Sequence, residues 1–286
     1  MNMSCEGCPS KGNCSKDSTL CSVQTNPKNH IKHVIAVLSG KGGVGKSTVT
    51  VLLARALKQM GLQVGVMDAD ITGPSIPRLF GIESEKAYAT GENEIIPVKT
   101  QEGIEVMSLN YLLKNEDDPV IWRGPIVGNV VKQFYTDVIW GDLDVLLIDM
   151  PPGTGDVALT ILQQLPVQGV IMVSTPQPMV SMIVSKAVHM CEQMHVPVLG
   201  ILENMAYLDC PHCGERIDFY NTDQLSEFLE SSGLKLYGTL PMMDLIRDVS
   251  GYEGYDLRSR EQVDGFMKDV AAQVMADVTA SAQQQA

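Results

Sequence analysis

The feature that most constrains this chain is a glycine-rich loop placed between an apolar strand and a helix. Residues 40–47 read GKGGVGKS and match the pattern G-x-x-x-x-G-K-[ST] at every fixed position. The loop follows HVIAVLS and leads into TVTVLLARAL, which is the strand and helix context that the pattern requires. Glycines in such a loop let backbone N–H groups surround phosphate oxygens, and the helix N-terminus adds partial positive charge. The sequence therefore predicts a nucleoside triphosphate site.

Two residues of this loop have specific expected roles. Lys46 would reach the β- and γ-phosphates, and the Ser47 hydroxyl would be a ligand of Mg²⁺. The other expected nucleotide-binding positions in and after the loop are Gly40, Lys41, Gly42, Gly43, Val44, Gly45 and Thr48. A glycine-rich turn that happens to contain a lysine explains the pattern poorly. A dinucleotide-binding loop also explains the pattern poorly, because its motif G-x-G-x-x-G does not require Lys-Ser at its end.

Acidic residues end two further apolar strands. LLID at 146–149 has the Walker B pattern, and Asp149 is expected to hold Mg²⁺ through water. VMDAD at 66–70 ends in two acids at the kind of strand end where open α/β sheets bind ligands. We expect Asp70 to position the attacking water and Asp68 to lie nearer the metal. The alternative is that one of the two only caps the following turn.

Apolar runs typical of buried parallel strands alternate with helical stretches along the chain. This pattern predicts an α/β fold with a doubly wound, mostly parallel sheet. The expected strands are 33–38, 64–67, 145–148, 170–173, 198–202 and 235–240, and the expected helices are 49–60, 126–139, 158–165, 180–194 and 222–231. Residues 95–98 and 104–108 suggest an inserted hairpin. We expect a flexible cysteine-rich extension at 1–30, one ATPase domain at 31–278 and a flexible tail at 279–286.

Composition excludes some functions. The chain has 34 acidic and 21 basic residues, a formal charge of −13, so it has few cations for phosphate contacts and nucleic-acid binding is disfavoured. No apolar run approaches the roughly 20 residues that span a bilayer, so no membrane role is expected. The N-terminus lacks the apolar core of a signal peptide, which favours the cytoplasm, where thiols stay reduced. Of the seven cysteines, only Cys191 is isolated, and we expect it to be a small buried apolar residue.

The second lysine of the loop, Lys41, gives it a particular resemblance. The loop resembles the deviant Walker A motif of the MinD/ParA/arsenite-ATPase group. That resemblance implies a P-loop NTPase of the SIMIBI type, in which the extra lysine crosses a homodimer interface to the partner's nucleotide. A solvated loop lysine is the alternative.

Five further motifs narrow the resemblance. They are DMPPGTGD at 149–156, WRGP at 122–125, DADITGPS at 68–75, ENM at 203–205 and CPHC at 210–213. Together they resemble the Mrp/ApbC (Nbp-type) family of iron–sulfur cluster carrier ATPases over about residues 31–258. The resemblance implies a homodimer that hydrolyses ATP slowly, binds a [4Fe–4S] cluster and transfers it to apo-proteins. It also implies that Gly153 senses the γ-phosphate and that Asn204 reads the nucleotide base, with Pro241 as a neighbour.

The N-terminal cysteines form the first of two candidate metal sites. Cys5, Cys8 and Cys14 reproduce the C-x₂-C-x₅-C part of a ferredoxin-like motif found in the larger eukaryotic-type branch of that family. That branch carries its remaining cysteine upstream, whereas here Cys21 would have to supply it from downstream. Four thiolates can hold iron–sulfur or zinc. The resemblance favours iron–sulfur, and the thiolates alone leave both open.

Cys210 and Cys213 form the second candidate site. CPHC has the form of one zinc knuckle, but a tetrahedral site needs four ligands and no second pair lies nearby in sequence. Two-fold symmetry would supply the second pair from a partner, so we expect a cluster that bridges two chains. A zinc-binding adaptor with a vestigial nucleotide site stays an alternative. The other alternative is a MinD/ParA-like positioning switch. A membrane-binding switch of that kind needs a basic amphipathic helix at its C-terminus, and it is disfavoured because Lys268 is the only basic residue after Arg260.

Overall fold

Apolar strands that are buried on both faces form the centre of the chain. The computed structural model describes residues 23, 25–70, 73, 75–91, 94–112, 124–177, 180–210, 212–219, 229, 232–242 and 257–284. The described strands are β1 (His30–Ser39), β2 (Val64–Asp68), β3 (Tyr88–Gly91), β4 (Glu94–Ile96), β5 (Val98–Lys99), β6 (Glu105–Met107), β7 (Asp142–Asp149), β8 (Gly169–Ser174), β9 (Val198–Glu203), β10 (Tyr207–Asp209), β11 (Arg216–Asp218) and β12 (Leu236–Thr239). The described helices are α1 (Lys46–Gln59), α2 (Ile76–Phe80), α3 (Gly124–Thr136), α4 (Asp156–Gln164), α5 (Val180–Gln193) and α6 (Leu257–Gln284), with a 3₁₀ turn at Leu109–Leu112.

Eight of these strands form one sheet in the order β12-β9-β8-β1-β7-β2-β6-β5. All neighbours are parallel except β5 and β6. Strand order reverses on either side of β1, which is the doubly wound arrangement that places a ligand crevice at the carboxyl ends of the strands. The predicted α/β fold with a mostly parallel sheet is confirmed.

The register of three central strands determines where their acidic ends lie. Asp149 of β7 is the partner of Val37 in β1 on one side and of Asp68 in β2 on the other. Both aspartates are therefore at the same edge of the sheet as the loop that follows β1. Because β2 and β7 are buried, these carboxyl groups are fixed by the sheet itself.

The predicted hairpin at 95–98 and 104–108 is only partly correct. Val98 and Lys99 do pair in antiparallel fashion with β6. However, β6 is also a parallel neighbour of β2 and so belongs to the main sheet. Ile95 pairs instead with Ala89 of β3 in a separate two-stranded sheet. The segment is thus divided between two sheets rather than inserted as one unit.

The folded domain begins earlier than residue 31. Asn29 is buried, its amide donates to the Val138 carbonyl over 2.9 Å, and its side-chain oxygen accepts from the backbone N–H groups of Trp140 and Gly141. At the other end, α6 continues to Gln284, past the expected boundary at residue 279. The N-terminal cysteines and most of the expected helix at 222–231 lie outside the described residues. Among the described helices, none combines the length and apolar character needed to cross a membrane.

Candidate functional site

The glycine-rich loop joins β1 directly to α1, as its sequence predicts. Gly43 and Gly45 both have a φ of +78°, a left-handed conformation that side chains rarely adopt. Gly42 and Gly43 are exposed, whereas Lys46 begins the helix and is buried. The loop thus presents backbone to solvent around a buried cation, which is the arrangement that a polyphosphate requires.

Lys46, Ser47 and Asp149 meet at the base of the loop. The Lys46 ammonium donates to Asp149 Oδ2 over 2.7 Å, and the Ser47 hydroxyl donates to the same oxygen over 2.6 Å. The Asp149 side chain is fully buried. A cation, a hydroxyl and a carboxylate in contact fit a phosphate–Mg²⁺ group, because Mg²⁺ prefers oxygen ligands and retains several waters. The structure therefore brings together the three residues that the two Walker motifs predict.

Thr50 belongs to this network and was missed in the sequence analysis. Its hydroxyl donates to Asp149 Oδ1 over 2.7 Å and lies 3.0 Å from the Lys46 carbonyl. With Oδ1 occupied in this way, Asp149 Oδ2 is the oxygen that faces Lys46 and Ser47. Thr50 is four residues after Lys46 in α1 and so lies on the same helix face. This four-residue spacing is the sequence signal from which the position of Thr50 beside Lys46 could have been predicted.

Replacing Thr50 with valine should weaken Mg²⁺ binding at the nucleotide site, so that more Mg²⁺ is needed to support nucleotide binding. Valine keeps the shape but removes the hydrogen bond that orients Asp149, a bond to a charged group worth about 1.5 kcal/mol or more. ADP affinity is measured by calorimetry at a series of Mg²⁺ concentrations. We expect the Mg²⁺ concentration that gives half of the full Mg²⁺ effect on ADP affinity to rise roughly 10-fold. Thr50→Ser, which retains the hydroxyl, should behave as the parent chain. An unchanged Mg²⁺ requirement in Thr50→Val would remove Thr50 from the site.

The two acids after β2 differ in their surroundings. Asp68 is buried and accepts hydrogen bonds from the Ser108 hydroxyl and from the backbone N–H of Asp70, so it caps the following turn. Burial and the nearby Asp149 carboxylate raise the pKa of Asp68 to about 8, although the Lys46 ammonium opposes this shift. Asp70 is more accessible, and its Oδ2 lies 3.9 Å from Lys46 Nζ. Asp70 is therefore the more accessible of the pair, and its role in positioning the attacking water stays a prediction.

The motif DMPPGTGD contacts the loop through Gly153. Its N–H donates to the Ser39 carbonyl over 2.8 Å, and its φ of +83° is left-handed. A Cβ at Gly153 would lie 3.8 Å from the Gly40 carbonyl, and one at Gly42 would contact Pro152 at 3.9 Å. This segment therefore lies directly beside the loop, and its response to the terminal phosphate stays a prediction.

Lys41 is half-buried in the single chain and donates to the side-chain oxygen of Gln177, in the loop after β8. It therefore has a partner within its own chain. Its expected reach to a second subunit's nucleotide stays a prediction.

Asn204 follows β9 and is fully buried behind the loop. Its side-chain amide donates to the Val44 carbonyl over 2.9 Å, and its backbone N–H donates to the Ser174 carbonyl. Pro241 is also buried and follows Leu240, whose backbone bonds to residues on both sides of Asn204. The base-reading role of Asn204 stays a prediction, while its contact with the phosphate loop is part of the fold.

The second cysteine pair lies in what we call the cysteine hairpin, which consists of β10, β11 and the turn between them. The hairpin is closed by Cys210 N–H donating to the Glu215 carbonyl and by Gly214 N–H donating to the Cys210 carbonyl. Backbone N–H groups of Cys213 and His212 lower the pKa of the Cys210 thiol, which favours the thiolate that binds metals. Cys213 is exposed. Burial raises the pKa of the Cys191 thiol to about 12, so Cys191 is the inert apolar residue that was expected.

The cysteine hairpin offers two ligands only. Among the described residues there is no group of three or more Cys, His, Asp or Glu side chains that could hold a metal ion. A tetrahedral thiolate site needs four. Within the described part of the chain, the pair is therefore half of a ligand set.

The fold and the loop define a P-loop NTPase of the deviant Walker A class. The chain belongs to the ParA-type family described as NUBPL iron-transfer P-loop NTPases, whose sequence profile matches residues 30–277. An iron–sulfur cluster carrier protein from Clostridium perfringens is 49% identical over 252 residues, which cover 84% of this chain and 88% of that protein. The predicted family and its function as an iron–sulfur cluster carrier NTPase are therefore confirmed.

Solved structures agree with this assignment. A nucleotide-binding protein from Archaeoglobus fulgidus, in complex with ADP and with cobalt found in it, is 41% identical with a TM-score of 0.66. The match covers 84% of this chain and 88% of that chain. MinD from Aquifex aeolicus, in its complex with MinC, is 18% identical with a TM-score of 0.61 over 85% of this chain and 96% of its own, and shares the fold alone.

Proposed function

We propose that this chain is an ATP-hydrolysing carrier that holds a [4Fe–4S] cluster between two copies of itself and passes it to apo-proteins. The observation that carries the proposal is the incomplete ligand set of the cysteine hairpin on a chain with a complete phosphate loop. Cys210 and Cys213 are accessible and lack further ligands among the described residues. A two-fold axis beside the hairpin would bring two pairs together, because an isologous interface places the same residues opposite each other.

Such a site suits cargo better than a structural metal. Its ligands are on a short two-stranded hairpin with exposed residues around the turn, so the cluster would be accessible to an acceptor. A cluster shared by two chains is also released when the chains separate. Nucleotide can control that separation only if it binds the two dimer states with different affinities.

On the nucleotide side, we assign ATP as substrate and Mg²⁺ as its companion ion. Lys46 and the loop N–H groups would bind the phosphates, and Ser47 and Asp149 would hold Mg²⁺, which neutralises phosphate charge when bound. Lys41 would leave Gln177 and reach the partner's nucleotide, and Gly153 would respond to the terminal phosphate. Slow hydrolysis fits a switch, because the nucleotide state must persist while a cluster is transferred.

Replacing Asp70 with asparagine should slow hydrolysis while leaving nucleotide binding nearly unchanged. The amide keeps the shape but cannot accept a proton from water, and Asp70 is 3.9 Å from Lys46, outside the tight Lys46–Asp149 contact. We expect single-turnover ATP cleavage to fall roughly 10²-fold or more, the contribution typical of a general base. ADP affinity measured by calorimetry should stay within about threefold, because the Lys46–Asp149 contact is retained. Cleavage at the parent rate would exclude Asp70 from the mechanism.

We also propose that Cys5, Cys8, Cys14 and Cys21 form a separate site for iron–sulfur or zinc. These residues lie outside the described part of the chain, so the proposal rests on their spacing and on the resemblance to the eukaryotic-type branch. The free thiols described at positions 191, 210 and 213 favour a reducing compartment, and we assign the cytoplasm.

A transfer experiment tests the proposed function. The anaerobically reconstituted full chain is mixed with an apo-enzyme that requires a [4Fe–4S] cluster, in the presence of an iron chelator, and recipient activity is followed. We expect activation that the chelator does not suppress, and none from Cys210→Ser in a chain whose Cys5, Cys8, Cys14 and Cys21 are also serine. Activation that the chelator abolishes would mean that free iron and sulfide are the source. Purification with tightly held zinc instead of iron would favour the adaptor.

A further inference from the structure

Asn204 connects two parts of the chain that the proposed function requires to communicate. Its amide donates to the carbonyl of Val44, in the middle of the phosphate loop, over 2.9 Å. The side chain is fully buried, and its Oδ1 has no hydrogen-bond partner among the described residues. A buried asparagine whose amide donates to a loop carbonyl positions that loop, because breaking the bond leaves the carbonyl unpaired.

Gly45 shows how closely this residue approaches the loop. A Cβ on Gly45 would collide with the Asn204 amide nitrogen and lie 3.5 Å from Met205 Cε. The loop therefore rests on two consecutive side chains of the segment that follows β9. A movement of Gly45 towards this segment would have to displace Asn204 or Met205.

Met205 is also a conformational exception. Its φ is +55°, and among the described residues only His195 is another non-glycine with positive φ. A left-handed conformation costs a non-glycine residue free energy, and such positions are often found in switch regions. Met205 is therefore a point where the backbone can change conformation when its contacts with the loop change.

The cysteine hairpin begins two residues later. The Ala206 N–H donates to the Leu240 carbonyl, and the Tyr207 carbonyl accepts from Met242, so the start of the hairpin is held against the end of β12. The Arg216 guanidinium stacks on the Tyr207 ring at 3.8 Å. A change at Met205 would thus reach β10, which Cys210 directly follows.

We propose that Asn204 and Met205 couple the phosphate loop to the cysteine hairpin, so that nucleotide binding changes the accessibility of the Cys210 and Cys213 thiols. The proposal rests on the proposed function only in assigning those thiols to the cluster. By linkage, the factor by which nucleotide changes the affinity of the hairpin for a cluster is also the factor by which a bound cluster would change nucleotide affinity. Asn204 is a positioning residue in this scheme, since it acts through the loop and the hairpin.

The test uses the metal-free, reduced full chain and needs no cluster. The chain is pulsed with iodoacetamide with and without saturating Mg·ADP, and alkylation of the peptide containing Cys210 and Cys213 is followed by mass spectrometry. We expect Mg·ADP to change the alkylation rate of this peptide in the parent chain by roughly fivefold or more, which is the lower end of typical coupling between two sites. Because Asn204 is also the expected base-reading residue, the ADP affinity of Asn204→Ala is measured first and ADP is used at a concentration that saturates this variant. Its alkylation rate should then not respond to ADP. The buried Cys191 thiol reports any global unfolding.

Asn29→Ala is the matched control. Asn29 is also buried and also donates its amide to a backbone carbonyl over 2.9 Å, but it lies at the opposite edge of the sheet. This variant should keep the full nucleotide response. If Asn204→Ala does not fold or bind ADP, Met205→Gly decides, because glycine tolerates the left-handed conformation and lacks the contact with Gly45; its response should also be lost.

Two results would overturn the coupling. One is a parent chain whose alkylation rate does not change with nucleotide. The other is a full response in Asn204→Ala, or in Met205→Gly where the first variant cannot be used. Failure of the proposed function would look different, since a chain that binds no cluster could still show the nucleotide response.

Discussion

Lys46→Ala is expected to lose tight binding of both Mg·ATP and Mg·ADP. The Lys46 ammonium is the buried cation at the base of the loop and contacts Asp149 at 2.7 Å. Without it, phosphate would enter a site where the Asp149, Asp68 and Asp70 carboxyl groups lie close together. Loss of charge-assisted contacts of this kind costs about 3 kcal/mol, so affinity should fall roughly 100-fold or more. Calorimetric titration with Mg·ADP measures the effect.

Lys41→Ala is the control for this prediction, because Lys41 is in the same loop but contacts Gln177 instead of the acidic cluster. It should bind Mg·ADP close to the parent affinity while losing hydrolysis and the nucleotide-dependent change in dimerisation. Circular dichroism establishes that both variants are folded. A Lys46→Ala variant whose affinity for Mg·ADP is within threefold of that of the parent chain would contradict the assignment of the phosphate site.

Replacing either cysteine of the hairpin should remove the bridging cluster almost completely. In a symmetric dimer, Cys210→Ser or Cys213→Ser removes two of four thiolate ligands at once, and the remaining pair cannot complete a tetrahedral set. We expect iron and acid-labile sulfide per chain, and the visible absorption, to fall to near zero in a background where Cys5, Cys8, Cys14 and Cys21 are serine. ADP affinity should be unchanged.

Cys191→Ala is the matched control, because Cys191 is the described cysteine that is buried and away from the hairpin. It should keep the iron content of its background. Comparing the parent chain with the four-serine background reports on the N-terminal thiols, and equal iron in the two would mean that they are not ligands. Substitution is preferable to deletion through residue 29, because Asn29 is bonded into the domain. Full iron retention in Cys210→Ser would contradict the hairpin site.

Much of the central fold was predictable because buried parallel strands have continuous apolar sequences. The expected strands at 145–148 and 170–173 lie within β7 and β8. The observed strands are longer by one to three residues at each end. The Walker motifs then place Lys46 and Asp149 on neighbouring elements, and the structure brings them into contact. Here local pattern and tertiary placement agree, because β1, which leads into the loop, is the parallel neighbour of β7, which ends in Asp149.

The features that sequence reasoning missed depend on contacts between distant segments. Asn204 and Val44 are 160 positions apart, so no local pattern indicates their hydrogen bond. The strands near residues 95–107 are only two or three residues long, and their pairing is decided by which sheet edge is available. The burial of Asn29 is a further example, because a polar residue at the start of the domain is buried only through hydrogen bonds with the distant Val138 and Trp140 backbone.

The most direct test of this account is the mass of the intact cluster-loaded species. Native mass spectrometry of the anaerobically reconstituted four-serine background should give a dimer that carries one [4Fe–4S] cluster, and Cys210→Ser should give a species without it. The central claim is that two chains share one cluster through their hairpin cysteines. A single chain that holds a cluster, or a single chain with one tightly bound zinc, would contradict it.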